Sequence, residues 1–473
     1  MIIVYIILAL IVVCIARTLY VGTKKANYEA KPEPEREREY AEKLSKMVQK
    51  ETVSVRGKPD PDKFRAFHGL LRELFPKVFE HCEYHDLEGS MVLKWKGKTD
   101  EKPVMFLGHM DVVEASTPDA WKYPPFSGTI AEGRIWGRGS GDTKCSLFSF
   151  LQAAEELIGE GFVPDRDIYL ASSNTEEIGG DGAPRIAKWL SDNGVHLEML
   201  CDEGGSMVRD PLSGVKGVFA MVGLFEKGYG DVKFTAKCGG GHSSTPKKGT
   251  PIPKLAKFIC RVERKTPFKA RFCPALSAMM ERLAPYCSFG LKLVMSNLWF
   301  FKPVIKLIMK DGEVGAMLKT TICFTMQKGS DGYNVIPREA SATANLRFIP
   351  HQKKDESLRI ITKLAAKYGL ETEVITASDP TTPVDLNSSA FKLTEANIAK
   401  CFPGVGICPY IATGGTDSRF FNDVCDNLIR FSPVLYGPEA LSAMHGVDEH
   451  LDTNTLPGAV DYFKQVARTV GEL

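Results

Sequence analysis

At 473 residues, with 44% hydrophobic and 25% charged residues, the chain is too long for one ordinary domain and has the composition of a globular protein of two. Sixty basic against 58 acidic residues leave a net charge of +2, which argues against a surface dedicated to nucleic acid. Twelve cysteines, scattered singly and without a C-x-x-C pair, argue against a disulfide framework and read as free thiols in a reducing compartment.

Residues 2–16 are an almost unbroken aliphatic run without charge, followed by Arg17, Lys24 and Lys25. A cleavable signal carries positive charge before its apolar region and a small-x-small site after it, and this segment has no early Lys or Arg and no clear site of that kind. Residues 1–22 therefore read as a single-pass membrane anchor, long enough for a bilayer core of about 30 Å if Arg17 snorkels. Basic residues on its C-terminal flank predict that the body of the chain faces the cytoplasm, with a secreted or lumenal placement as the alternative. Residues 23–39, containing K-P-E-P-E-R-E-R-E, read as a charged linker, with a helix expected over 40–49. The spacing of Phe64, Phe67, Leu70, Leu71 and Leu74 predicts another helix, and His68 and His85 beside it are assigned no chemistry.

Continuous apolar runs at 103–107 and 167–173, with a shorter one at 197–200, predict buried strands, and helical patterns at 147–157 and 183–191 separate them. Alternation of this kind implies an α/β domain, a mostly parallel sheet with helices on both faces. Ligands of such sheets bind beyond the carboxyl ends of strands. His109, the pair Glu176-Glu177, and Asp202 all fall there. Between the first two strands, Gly137-Arg138-Gly139-Ser140-Gly141-Asp142 forms a glycine-rich turn that delivers Asp142 to the mouth of a helix. From 226 the texture becomes α+β, and a second domain is expected over 226–379. Its long insertion at about 264–319, rich in Phe, Met and Leu, is expected to serve packing. Residues 380–473 return to the first domain, begun at 40–225, and carry Gly414-Gly415-Thr416 and Met444-His445-Gly446.

His109, Asp142, Glu177, Asp202 and His445 offer imidazole and carboxylate without thiolate, a donor set that suits a pair of catalytic zinc ions. In two-metal sites the ions share a bridging ligand and a water, and a carboxylate on a stiff turn suits the bridge. Glu176 and Glu177 can divide labour if side chains at the strand end point in alternate directions.

The motifs His-x-Asp after a strand, G-R-G-x-x-D, Glu-Glu-x-Gly, Asp-Glu-Gly-Gly, G-H-S-S-x-P and a late M-H-G resemble, in order and spacing, the co-catalytic zinc exopeptidases of the glutamate carboxypeptidase and aminoacylase family. The resemblance runs from about residue 42 to the C-terminus. Thr416-Asp417-Ser418-Arg419-Phe420-Phe421 and the long insertion with Ser296-Asn297-Leu298-Trp299 are most similar to its carboxypeptidase S and N-fatty-acyl-amino-acid synthase/hydrolase branch. The resemblance implies a catalytic domain with an inserted α+β lid or dimerisation domain, two zinc ions per subunit, and compatibility with a homodimer. Carried over, His109 and Asp202 hold one zinc, Glu177 and His445 the other, and Asp142 bridges. Asp111 orients His109, and Glu176 is the general base. His242 helps bind the oxyanion, in the family often across a dimer. Asn334, Arg347, Gly414, Gly415 and Thr416 are candidates for gripping the substrate's carboxylate. His450 competes with His445, but only His445 stands in the family-like Met-His-Gly. The implied activity is hydrolysis of the amide bond of a C-terminal or N-acylated amino acid. A fatty-acyl amino acid substrate is the alternative, and a catalytically inactive membrane-tethered binding protein is the reading from another class.

Overall fold

The computed structural model describes residues 1–308, 312–412 and 414–473. Val104–Leu107 and Ile168–Ser172 are buried along their whole length, as strands without polar alternation must be. They pair in parallel. Val104–Leu107 then pairs in parallel with Leu197–Arg209, and that strand with Cys425–Tyr436. The hairpin Glu83–Leu87 and Ser90–Trp95 extends one side, and Val218–Glu226 with Gly406–Ala412 the other, making an eight-stranded mixed sheet whose middle is parallel. Successive side chains leave opposite faces. Phe106 and Leu170 join the core containing Phe148 and Phe150 of helix Lys144–Gly159 and Phe463 of helix Leu456–Thr469, whereas Met105, Leu107 and Tyr169 meet Ile186 and Leu190 of helix Gly182–Asp192.

A second, antiparallel sheet consists of Thr321–Lys328, Glu339–Phe348, Gly228–Lys237 and Glu371–Ala377. Every second residue of Glu339–Phe348 is buried. These residues meet Leu255 and Phe258 of helix Pro251–Arg264 and Ile361 of helix Lys354–Ala366, so one face is covered and the other open. The insertion contributes helices Pro274–Leu283, Phe289–Ser296, Leu298–Ile308 and Gly312–Leu318. The first of these packs against Gly406–Ala412 at the edge of the main sheet.

Residues 23–39 are not a free linker. Ala26 bridges to Gly217, and the Tyr28 ring stands edge-on to Phe402 with centroids 5.5 Å apart. Helix Pro34–Gln49 begins inside this stretch. Proline at the first helical position forfeits nothing, because that N–H has no intrahelical acceptor, so the residue that reads as a breaker starts the helix. Arg36 then fastens it to Asp461 at 2.7 Å.

His68 lies in the core, 2% exposed, with Nδ1 3.0 Å from the Tyr84 hydroxyl. Burial pushes its pKa down from 6.5 to about 4, against a smaller opposing pull from Asp86. As pH falls, the unfolded chain takes up this proton first. The contribution is fully present above pH 6.5 and is lost progressively toward pH 4, amounting to roughly 3 kcal/mol at about 1.36 kcal/mol per pH unit. Urea denaturation across this window should show a shallower loss in His68→Leu than in the natural protein. Equal slopes would remove His68 as the cause.

Candidate active site

Two turns distant in sequence are clamped together by a small sheet. Arg134–Trp136, which leads into the glycine-rich turn, pairs antiparallel with His450–Asp452, which follows His445. Beyond that pairing, one Glu449 oxygen accepts the backbone N–H groups of Gly139, Gly141 and Asp142 at 3.0, 2.9 and 3.0 Å. The other accepts Arg138 Nη1 at 2.5 Å, and Arg138 Nη2 donates to the Gly446 carbonyl at 2.8 Å. Buried Arg138 and Glu449 thus fix the turn that carries Asp142 against the loop that carries His445. Gly139 has φ +88°, and a Cβ there would come within 2.7 Å of Val112 Cγ1, so the tight turn requires glycine.

Asp142 divides its two oxygens. Oδ1 lies 3.2 Å from His109 Nε2, and Oδ2 lies 3.0 Å from His445 Nε2. Each histidine has a second carboxylate beside it. Glu203 Oε1 is 3.4 Å from His109 Nε2, and Glu177 Oε2 is 3.1 Å from His445 Nε2. An oxygen of Glu176 groups with His109 and Glu203, all three donor atoms within 4.8 Å of one another. Asp111 organises this half of the site: its carbonyl lies 2.9 Å from His109 Nδ1, and its carboxylate accepts the backbone N–H of Glu176 at 3.1 Å, that of Glu177 at 3.2 Å, and Ser54 Oγ at 2.6 Å. The two glutamates diverge from a turn held by Asp111, not from alternation at a strand end.

Asp202 requires a correction. The strand expected to stop at 200 runs to Arg209, so Asp202 and Glu203 leave opposite faces of it. Glu203 meets His109. Asp202 points the other way, and its Oδ2 accepts the Ser418 N–H at 2.8 Å. Strand length decides which of two adjacent acids enters the cluster, and two glycines after them gave no sign that the strand continues.

Six further residues were expected at the site. His242 sits on the exposed strand Gly241–His242, which pairs with Val335–Ile336 in a small two-stranded sheet; its Nδ1 is 2.8 Å from Ser244 Oγ, and among the described residues its hydrogen bonds do not reach the cluster. Asn334 is exposed in a nearby loop, where its carbonyl accepts the Ser243 N–H. Arg347 lies 4.8 Å over the Tyr229 ring, and its pKa is lowered by burial, with Arg419 among the smaller causes. Gly414 and Gly415 line the cavity beside the cluster. A Cβ at Gly415 would fall 2.5 Å from Arg419 Nη1, so the glycine makes room for that guanidinium. Thr416 lines the cavity too, but its N–H and hydroxyl are committed to Glu226 at 2.8 and 2.7 Å. Glu203, Glu449, Arg138 and Arg419 are the residues that sequence reasoning did not single out. The acid-arginine pair had a weak signal, an Arg inside the turn and a Glu four residues past His445.

Asp142, Glu176, Glu177 and Glu203 are four carboxylates facing two histidines. Burial raises Glu176 well above the carboxylate range despite the pull of His109, and raises Glu203 to about 8, with Asp142 adding repulsion. Behind them Asp417 is raised to about 7 by burial and by Asp202. Hydrogen bonds to Asp142 and Glu177 lift His445 to about 10. Among the described residues, Glu177 Oε1 is buried without a hydrogen-bond partner. An excess of buried negative charge with an unsatisfied oxygen fits divalent cations, and nitrogen and oxygen donors without thiolate fit a catalytic metal.

From Asp142 and Glu203 a cavity of about 850 Å³ extends beneath the glycine loop. Its lining is largely apolar and includes Leu212, Met221, Met279, Met317, Ile411 and Met444, with Arg209, Asp210 and several serines among them. Met279 and Met317 belong to the insertion, which therefore does more than pack.

Residues 105–469 match peptidase family M20/M25/M40. The chain is 33% identical over 440 residues to probable carboxypeptidase S-like 2 of Dictyostelium discoideum, a match covering 90% of this chain and 84% of that one. It is also 33% identical over 366 residues to N-fatty-acyl-amino acid synthase/hydrolase PM20D1 of Homo sapiens, covering 76% and 72%. Its fold is similar to that of the M20 family metallo-carboxypeptidase Sso-CP2 from Sulfolobus solfataricus, with a TM-score of 0.66 at 17% identity over 90% of this chain and 98% of that one. The matched span holds every residue of the cluster, and the chain belongs to peptidase family M20/M25/M40.

Proposed function

We propose that this peptidase is a zinc-dependent hydrolase that releases an amino acid with a free carboxylate from an N-acyl group, a long acyl chain being the preferred one. The largely apolar cavity that includes Asp142 and Glu203 in its lining carries this choice: its volume lies in the range of about 300–1,000 Å³ of small-molecule sites, and its lining offers methionine and leucine side chains. A carboxypeptidase acting on short peptides is the second reading, favoured by the same cluster without the cavity.

His109 and Glu203 are assigned to one zinc, His445 and Glu177 to another, and Asp142 to both. Bound zinc supplies Lewis acidity at the scissile carbonyl and lowers the pKa of water to about 7. Glu176 takes the proton of the attacking water and gives it to the leaving amine as the C–N bond breaks, leaving a carboxylate and a free amino group. Burial supports this assignment, because a carboxylate raised toward neutrality both accepts and returns a proton. Asp111 keeps His109 and the two glutamates in register. Arg347 and Arg419 are assigned the substrate's carboxylate. His242 is assigned the oxyanion, which calls for closure of the second domain or for a second copy of the chain, since its own turn is exposed.

A panel of N-oleoyl amino acids, N-acetyl amino acids and dipeptides tests the choice. The highest kcat/KM is expected for N-oleoyl substrates, with loss on chelation and recovery with zinc; preference for dipeptides would transfer the assignment to the second reading. Glu203→Ala should remove one metal equivalent and cost on the order of 10³-fold in kcat/KM, as loss of several kcal/mol of charge stabilisation requires. Asp202→Asn should keep both equivalents. The reverse result would restore Asp202 as the ligand.

Helix Ile2–Val21, 20 residues with a mean hydropathy of 2.8 over an 18-residue window, is assigned as a single-pass anchor with the catalytic domain in the cytoplasm. The basic residues after it and the free thiols support that orientation. Protease added outside intact cells should leave the domain uncut.

A further inference from the structure

Helix Leu298–Ile308 of the insertion turns apolar side chains outward: Trp299, Phe300, Val304, Leu307 and Ile308 are between 42% and 73% exposed. It continues from Phe289–Ser296, which packs against the N-terminal helix Ile2–Val21. The seam between them is built from specific bonds. Asn297 Nδ2 donates to the Cys14 carbonyl at 3.0 Å and to Thr18 Oγ1 at 3.1 Å, and Arg17 Nε donates to the Ser296 carbonyl at 2.7 Å. Lys292 Nζ donates to the Gly22 carbonyl at 2.7 Å, just past the end of the N-terminal helix, where a cation is favoured.

Helix length then sets the depth of this seam. Twenty residues rise about 30 Å, the thickness of a bilayer's hydrocarbon core. None of residues 2–13 is buried, but at about 1.5 Å each they account for only about 18 Å. A spanning helix must therefore also sink Cys14 to Val21 into the membrane, together with whatever is bonded to them. Counted back from Val21, Thr18 lies about 5 Å and Cys14 about 10 Å down, and Asn297 is held at that level. This is the depth at which interfacial amphipathic helices rest.

We propose that residues 289–308 are seated in the lipid interface beside the N-terminal helix, with the bilayer as the occupant of the exposed apolar face. The proposal rests on the anchor assignment. Trp299 suits the headgroup level, Lys302 and Lys306 can extend their ammonium groups to water, and the polar seam residues satisfy one another away from it. The helices on either side of this segment, Pro274–Leu283 and Gly312–Leu318, lend Met279 and Met317 to the cavity, so the insertion that meets the lipid also contributes to the lining of the site.

Full-length protein reconstituted in phosphatidylcholine vesicles, with lipids brominated near the headgroup, tests this. Resistance to alkaline carbonate reports insertion of the N-terminal helix, and the difference in emission between natural protein and Trp299→Phe isolates Trp299. Brominated vesicles should lower that difference roughly twofold or more, as a ring at the interface requires, and Leu307→Asp with Ile308→Asp should restore it. Carbonate-resistant protein with an unquenched Trp299 overturns the proposal, and does so equally if a second copy of the chain covers the face. Protein extracted by carbonate overturns the anchor assignment and this inference together.

Discussion

Glu176→Gln should lower kcat by about 10² to 10⁴, the usual worth of general acid-base catalysis, with metal content, fold and KM for substrate little changed. The argument is geometric before it is electrostatic. Glu177 is committed to His445 at 3.1 Å, Glu203 to His109 at 3.4 Å, and Asp142 to both histidines. Glu176 shares the neighbourhood of His109 and Glu203, yet no ion pair or side-chain hydrogen bond claims its carboxylate among the described contacts. That leaves it as the acid we propose for the water. Glutamine keeps the shape and the backbone bond to Asp111 but neither accepts nor returns the proton. Measurement by metal analysis alongside turnover separates the two roles: a variant that loses an equivalent of metal has lost a ligand, and a variant that turns over normally has lost nothing needed for catalysis.

Much of this site is legible from residue type and order because its donors sit where apolar strands end. His109 follows the buried run Val104–Leu107, and the glutamate pair follows Ile168–Ser172, so the sheet rule that places ligands at strand ends finds them both. The rule breaks at Asp202-Glu203, where the strand does not end and alternation reverses the choice between neighbours. The clamp of Arg138 on Glu449 was at most weakly legible. Its members lie 311 positions apart, and only the pairing of Arg134–Trp136 with His450–Asp452 brings them together. Composition misled at 23–39 for a related reason: charged residues and prolines describe a solvated tether equally well as the start of an amphipathic helix, and the deciding contact, Arg36 with Asp461, is again distant in sequence. Local pattern reports what a segment can form; distant partners decide what it does form.

Asp142→Ala should cost the chain its paired metal and all measurable turnover. As a simple helix cap, Asp142 would be worth only about 0.5–2 kcal/mol of stability. The helix Lys144–Gly159 has Thr143 at its cap position with no side-chain cap bond, so capping is not what Asp142 supplies. What it supplies is one oxygen to each histidine. Without it, each half of the cluster keeps one histidine and one glutamate, too few donors for a firm catalytic zinc site, which uses three protein ligands. Metal analysis should fall from two equivalents to below one. The metal-free protein offers an independent reading. Hydrogen bonds to Asp142 and Glu177 hold His445 at about 10, so removing Asp142 should let it descend toward 6.5, a change that histidine proton resonances record as pH is varied. A variant that retained two metal ions and an unshifted His445 would show that Asp142 is no bridge, and that the glycine turn serves only to begin the helix behind it.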